Sequence, residues 1–159
     1  MKFLEKARIM RLPIHDFTDT HELAPETHPL DGAIVATLQA GLPDLQAVYR
    51  YGSAGSIHER EDSDLDIAIL AGHPLSFEEQ CSLAADLMRV AKRDVDLNDL
   101  RRLPVTLRVQ IVTGGIRLYA ANTAAAEEYD SRTLSDYTRL NEERRGILDD
   151  IQHRGRIYG

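Results

Sequence analysis

Two aspartates in the middle of the chain, Asp64 and Asp66, are the residues whose type and spacing most clearly suggest chemistry. The apolar residues 67–70 follow them and are typical of a strand. Because residues two apart in a strand project from one face, the two carboxylates would point the same way. Adjacent carboxylates repel unless a cation lies between them, and oxygen ligands of this kind suit Mg²⁺. Without further signals, a short Asp-x-Asp pattern more often marks a solvated acidic turn.

A glycine and a serine, Gly52 and Ser53, provide the further signal, with ten residues between Ser53 and Asp64. They end a predicted strand at residues 45–51. A glycine at this point lets the backbone turn tightly and approach a ligand, and Ser53 could begin a helix whose N-terminal amides favour a phosphate. An ordinary Gly-Ser turn is the alternative. Together the two patterns predict a phosphate cradle beside a metal-binding strand. The Gly-Lys-Ser/Thr of a Walker A loop is absent from the sequence.

A third predicted strand, residues 94–97, supplies two more acidic residues. Asp94 and Asp96 are two apart, so they share one face. Periodicity alone therefore leaves both residues open as a third carboxylate of the same site.

The spacing of Gly52-Ser53 and Asp64-x-Asp66 resembles the signature of the DNA polymerase β-like nucleotidyltransferase superfamily, and the short chain resembles its minimal members. Residues 93–100, RDVDLNDL, resemble the strand that carries the family's third carboxylate, and this match selects Asp96. Residues 137–151, YTRLNEERRGILDDI, are similar to the MntA-type antitoxins of HEPN–MNT toxin–antitoxin pairs. Many relatives carry an Arg-Gly a few residues after Gly-Ser, where this sequence has Ser56 and Ile57. His58 or Arg60 could supply a phosphate contact instead.

This resemblance implies an α/β (α+β) fold, a small mixed β-sheet flanked by helices with a long C-terminal helix. It implies that Asp64, Asp66 and Asp96 are catalytic and bind two Mg²⁺ ions, and that Gly52 and Ser53 bind the nucleotide. ATP would donate AMP to a tyrosine hydroxyl of a HEPN-domain ribonuclease toxin, which would be silenced. The toxin would then be the partner in a hetero-oligomer.

Two other functions stay open at this point. The acceptor could be a small hydroxylated molecule such as an aminoglycoside, although relatives with that activity usually need a further domain. The protein could also be a non-enzymatic antitoxin that neutralises its toxin by occlusion. The presence of all three carboxylates weighs against a vestigial site.

Length, net charge and cysteine content limit the possible domain organisation, substrate and compartment. The chain has 159 residues, which is enough for one domain with a core. We predict that residues 31–159 form this domain and that residues 1–30 are an N-terminal extension. The net charge of −7 argues against nucleic acid as the direct substrate, because such binding needs clustered positive charge. A single cysteine, Cys81, and the lack of a membrane-length apolar run favour the cytoplasm.

Two further segments have the capping signals of helices, which would flank the predicted strands. Asp31 is a candidate N-cap of a helix at residues 32–40, and Ser76 with Glu79 fits a capping box. In the helix after Ser76, small and apolar residues recur at helical spacing and predict a core-facing side. This side would include Cys81 as a small apolar core residue, and its members are Phe77, Cys81, Ala84, Met88 and Ala91.

Two C-terminal segments allow more than one interpretation. Residues 105–112 alternate like a strand, but Pro104 and Gly114-Gly115 frame a helix, which the resemblance also implies. A short strand at residues 116–120 precedes a charged helix at residues 123–152. The apolar face of this helix could cover its own sheet or bind a partner.

Overall fold

The computed structural model of the protein describes residues 28–52 and 63–154. Within them lie four helices and four strands. In chain order these are α1 (Asp31–Gly41), β1 (Leu45–Tyr51), β2 (Leu65–Ala71), α2 (Phe77–Ala91), β3 (Val95–Asp99), α3 (Val105–Gly114), β4 (Ile116–Ala120) and α4 (Thr123–Arg154). Of the predicted N-terminal extension, residues 1–27 lie outside the described residues.

The four strands form one mixed sheet in the order β3-β2-β1-β4. Strand β1 pairs antiparallel with β2 and with β4, whereas β2 and β3 are parallel. All seven residues of β2 are buried, as its apolar run predicts for a central strand covered on both faces. The predicted small mixed sheet with flanking helices is confirmed.

Helices α1 and α2 cover one face of the sheet. The predicted capping box is present at the start of α2, where Ser76 and Glu79 exchange side-chain and backbone hydrogen bonds. The buried stripe of α2 differs from the predicted one and consists of Leu83, Leu87 and Ala91.

The prediction that Cys81 is a core residue is wrong, because its side chain is exposed, as is that of Phe77. Helix α2 carries two apolar stripes, and helical periodicity identifies a stripe without saying which one faces the sheet. The stripe with the two leucines lies against the sheet.

Helix α3 covers the opposite face of the sheet, where Leu100 and Ile111 pack against Ala68 and Leu70 of β2. The helical interpretation of residues 105–112 is thus confirmed. Pro104 immediately precedes α3, a position where a missing N–H group costs no helical hydrogen bond. The alternation that suggested a strand places Val109 and Ile111 in the core of a helix.

The long C-terminal helix α4 packs against α3 and then runs on past it. Ala126 and Thr133 are buried, but residues 142–150 are all exposed. Ile147 and Leu148 are each 59% exposed, so this half of the apolar face does not cover the sheet. None of the described helices, including the highly charged α4, combines the length and apolarity that crossing a membrane requires.

Candidate active site

The centre of the site is a pair of carboxylates on the two parallel strands. Asp66 of β2 and Asp96 of β3 are direct partners in the strand register. Residues that pair in this way project from the same face, and neighbouring strands lie about 4.8 Å apart. Asp66 is buried and Asp96 half-buried. Two acids from separate parts of the sequence therefore lie side by side at one edge of the sheet's face.

Asp64 and Asp94 come just before β2 and β3, at the same ends of these strands. Asp64 is half-buried and immediately precedes the first residue of β2. Asp94 is exposed and precedes its strand, and its carbonyl oxygen accepts a hydrogen bond from the N–H of Leu65 at 2.8 Å. The register thus brings Asp96, and not Asp94, opposite Asp66.

Gly52 lies where β1 ends, next to the carboxylate of Asp66. Its φ angle is +77°, a conformation that favours glycine over all other residues. A Cβ atom at this position would overlap Oδ2 of Asp66 and lie 3.0 Å from its Cγ. The predicted second nucleotide-binding residue, Ser53, lies outside the described residues.

Asn98 and Tyr51 are two uncharged residues that the sequence patterns did not indicate, and their side chains connect β3 to β1. The side-chain amide of Asn98, on β3, donates to the hydroxyl oxygen of Tyr51 at 2.9 Å and to Oδ1 of Asp96 at 3.1 Å. Tyr51 is in turn the antiparallel register partner of Asp66. Their places in the sequence are informative. Asn98 follows Asp96 by two residues and therefore shares its strand face, and Tyr51 directly precedes Gly52.

The surroundings of Tyr51 are negatively charged. Burial, followed by the negative charges of Asp66 and Asp96, raises the pKa of the Tyr51 hydroxyl far above its ordinary value of 10. Tyr51 consequently stays neutral at any physiological pH, and its hydroxyl can both accept and donate a hydrogen bond.

The donor set fits a hard divalent cation. Two adjacent carboxylates repel one another unless a cation lies between them, and Mg²⁺ commonly binds one or two carboxylates together with substrate phosphates. Within residues 28–52 and 63–154, no three His, Cys, Asp or Glu side chains are arranged as a ready-made metal site. Asp66 and Asp96 alone would leave coordination positions on such a cation, and nucleotide phosphates are ligands that could fill them.

A buried ion pair anchors β1 on the opposite face of the sheet. Nε of Arg50 donates to Oδ1 of Asp31 at 3.0 Å, and the Arg50 side chain is completely buried. Asp31 is the first residue of α1 and is preceded by Leu30, so the predicted N-cap is displaced by one residue. Arg50 is adjacent to Tyr51, so this ion pair ties α1 to the strand end that carries Tyr51 and Gly52.

Comparisons of the whole sequence with known proteins find matches over more than half of the chain. A family described as "Polymerase beta, Nucleotidyltransferase" matches residues 33–124. The chain is 35% identical over 121 residues to a protein of Shewanella oneidensis called protein adenylyltransferase MntA. That match covers 76% of this chain and 86% of the relative.

Solved structures extend the similarity to the fold. A chain in the crystal structure of a toxin–antitoxin with AMP-PNP is 34% identical, with a TM-score of 0.69 over 77% of this chain and 98% of that chain. A chain in a complex of tri-AMPylated Shewanella oneidensis HEPN toxin with MNT antitoxin is also 34% identical, with a TM-score of 0.64. The second match covers 77% of this chain and 95% of that chain.

Proposed function

Because this chain belongs to the polymerase β-like nucleotidyltransferase family, we propose that it is an antitoxin that transfers AMP from ATP to a tyrosine hydroxyl of a HEPN-domain toxin. The observation that carries this proposal is the register pairing of Asp66 with Asp96 beside Gly52. A relative that covers most of the chain is a protein adenylyltransferase, and a similar complex contains an AMPylated HEPN toxin.

Each residue of the site has a distinct role in this proposal. Gly52 allows the backbone to approach the triphosphate without a side chain in the way, and Ser53 supplies a further phosphate contact. Asp64 and Asp66 bind Mg²⁺ through their carboxylates, and Asp96 shares in this binding. When bound, two Mg²⁺ ions neutralise the charge that develops on the attacking and leaving oxygens.

The transfer itself exchanges one bond to phosphorus for another. The hydroxyl oxygen of the acceptor tyrosine forms a bond to the α-phosphorus of ATP, and the bond from this phosphorus to the oxygen bridging to the β-phosphate breaks. Pyrophosphate leaves with that oxygen. Asp96 orients the acceptor hydroxyl and takes its proton, since a carboxylate within hydrogen-bond reach of the nucleophile can act as a general base. Such reactions depend on positioning and charge stabilisation more than on covalent help from the protein.

The consequence for the toxin is electrostatic. Each AMP unit adds a phosphodiester with one negative charge to the modified tyrosine. A ribonuclease must bind the negatively charged RNA backbone, and added negative charge at that surface opposes RNA binding. The reaction takes place in the cytoplasm in this proposal, where ATP and a reduced Cys81 are expected.

A labelling experiment tests the proposed reaction. The protein is incubated with Mg²⁺ and a HEPN-domain protein from the same genome, in parallel reactions with ATP labelled at the α- or the γ-phosphorus. Label from the α position alone should enter the HEPN-domain protein, and its RNA cleavage should fall in proportion. Loss of RNA cleavage in a stable complex without label would favour neutralisation by occlusion. Label in neither protein, with no complex, would point to a small-molecule acceptor.

A further inference from the structure

Two hydrogen bonds from the Asn98 side chain link Asp96 on β3 to Tyr51 on β1. We propose that Asn98 and Tyr51 are positioning residues that fix the carboxylate of Asp96 so that it can share a divalent cation with Asp66, an inference that rests on the proposed function. Neither residue belongs to the carboxylate and glycine pattern by which the site was predicted.

The orientation of Asn98 follows from its two partners. Asn98 is only 6% exposed, and its Nδ2 atom lies 2.9 Å from the Tyr51 hydroxyl and 3.1 Å from Oδ1 of Asp96. An amide nitrogen carries two hydrogens and can serve both acceptors at once. Turning the amide over would place its oxygen against the Asp96 carboxylate, where two acceptors repel. The amide is therefore held in one orientation by the groups around it.

The consequence for Asp96 is a fixed side-chain rotamer. The hydrogen bond from Asn98 occupies Oδ1, so the carboxylate can be held by one oxygen while Oδ2 is offered to a ligand. Asp96 is half-buried and its strand partner Asp66 is also negative. Without the amide, their mutual repulsion would turn the Asp96 carboxylate toward water and away from Asp66.

Tyr51 is the second hydrogen-bond partner of the Asn98 amide. It lies on β1, opposite Asp66 in the register, and its hydroxyl gives the second Asn98 hydrogen a partner. The chain of contacts runs from Asp96 through Asn98 to Tyr51, which is a neighbour of Asp66. Partners of this kind behind a metal-binding group typically change metal affinity or activity about 10- to 100-fold when they are removed.

A matched control lies two residues before Tyr51 on the same face of the same strand. The hydroxyl of Tyr49 donates to Oδ1 of Asp130 on α4 at 2.7 Å and does not take part in the Asn98 contacts. Tyr49→Phe therefore removes a buried tyrosine hydroxyl from β1 without removing a partner of Asp66 or Asp96. Its effect on Mn²⁺ affinity and kcat shows how much of either would be lost through altered packing or stability alone.

The test compares Asn98→Leu, Tyr51→Phe and Tyr49→Phe with the unchanged protein. Mn²⁺ affinity is measured by electron paramagnetic resonance in the presence of AMP-PNP, and kcat and KM for ATP are measured separately with the toxin. We expect Asn98→Leu to bind Mn²⁺ about 10- to 100-fold more weakly and to lose kcat similarly, with KM for ATP nearly unchanged. Tyr51→Phe should show a smaller loss of the same kind, and Tyr49→Phe none.

Several results would overturn the positioning role. They are Mn²⁺ affinities of Asn98→Leu and Tyr51→Phe equal to that of the unchanged protein, equal losses in Tyr49→Phe, or no Mn²⁺ binding by the unchanged protein. If Asn98→Leu does not fold, the conservative Tyr51→Phe decides alone. A protein that binds Mn²⁺ but transfers no AMP to the toxin contradicts the proposed function, while the comparison of Mn²⁺ affinities still decides the role of Asn98.

Discussion

The carboxylate of Asp66 fills the space where a side chain on Gly52 would lie. A Cβ atom at residue 52 would overlap Oδ2 of Asp66, and the backbone there has φ of +77°. Gly52 at the end of β1 and Asp66 on the neighbouring strand β2 are thus in close contact. In the proposed function, this close packing of Gly52 against Asp66 places the nucleotide phosphates beside the cation.

Gly52→Ala should therefore damage the site more than the fold. The left-handed backbone costs a non-glycine residue roughly 1–2 kcal/mol, and the added methyl group must displace Asp66. We expect AMP transfer to fall at least about 100-fold, measured as kcat/KM, with a loss in unfolding free energy near that backbone cost. Gly114→Ala is the matched control, because nothing lies within 4 Å of a Cβ atom there. Equal activity of the two variants would contradict the close fit.

Replacing the carboxylates one at a time distinguishes Asp96 from Asp94. Asp66→Asn and Asp96→Asn remove a charge from the paired positions and should each lower transfer at least about 100-fold, more than the loss of a supporting partner. Asp94→Asn alters an exposed residue outside the pair and should keep near-normal activity. The measurement is initial rate of AMP transfer, with circular dichroism to verify folding. Loss of activity in Asp94→Asn with retention in Asp96→Asn would reverse the assignment.

The ion pair between Arg50 and Asp31 predicts a stability effect instead. Asp31→Asn weakens the pairing of a fully buried guanidinium, and breaking a buried pair costs about 3–5 kcal/mol. We expect about 3 kcal/mol, at the lower end, because Asn keeps an oxygen acceptor. Asp86→Asn breaks the exposed pair with Arg89 and should cost less than about 1 kcal/mol. Urea unfolding of both variants gives the comparison, and equal midpoints would contradict it.

His73 gives the protein a pH-dependent contact at its surface. Its Nδ1 atom lies 2.7 Å from Oδ2 of Asp44, and its Nε2 atom lies 3.2 Å from Oε1 of Glu79. The hydrogen bond with Asp44, followed by that with Glu79, raises the pKa of His73. The bond with His73 lowers the pKa of Asp44, while bonds with Ser76 and then His73 lower the pKa of Glu79 to about 2.

These directions fix the sign of the pH effect. The raised pKa of His73 stabilises the fold fully below its ordinary value of 6.5, and this contribution is lost as the pH rises through the folded-state pKa. The lowered pKa values of Asp44 and Glu79 stabilise the fold above the ordinary values of 3.8 and 4.5, and this is lost in acid. The difference in melting temperature between the protein and His73→Gln should peak between pH 4.5 and 6.5. A constant difference up to pH 9 would contradict this role.

The sequence was sufficient to predict the parts of the fold that local patterns determine. Strand β2 has a continuous apolar run, and Ser76 with Glu79 forms the predicted capping box. Residues 105–112 needed the family resemblance, because their alternation also fits a strand. Cys81 was misplaced since α2 has two apolar stripes, and only the packed sheet determines which stripe is buried.

The site divides in the same way. Strand periodicity predicts a shared face for Asp64 and Asp66, but it leaves Asp94 and Asp96 equally open. The family resemblance selects Asp96, and the pairing of Asp96 with Asp66 is a property of two strands that periodicity within one strand does not contain. Asn98 and Tyr51 act through a contact between residues 47 positions apart in the chain. Spacing along one chain does not reveal such a contact, whereas the sheet brings the two residues together.

The most direct test of the central claim is the intact mass of the HEPN-domain protein after incubation with this protein, ATP and Mg²⁺. We predict a gain of one or more whole AMP units with the unchanged protein and no gain with Asp66→Asn. An unchanged mass with the unchanged protein would contradict the account, as would an equal gain with Asp66→Asn.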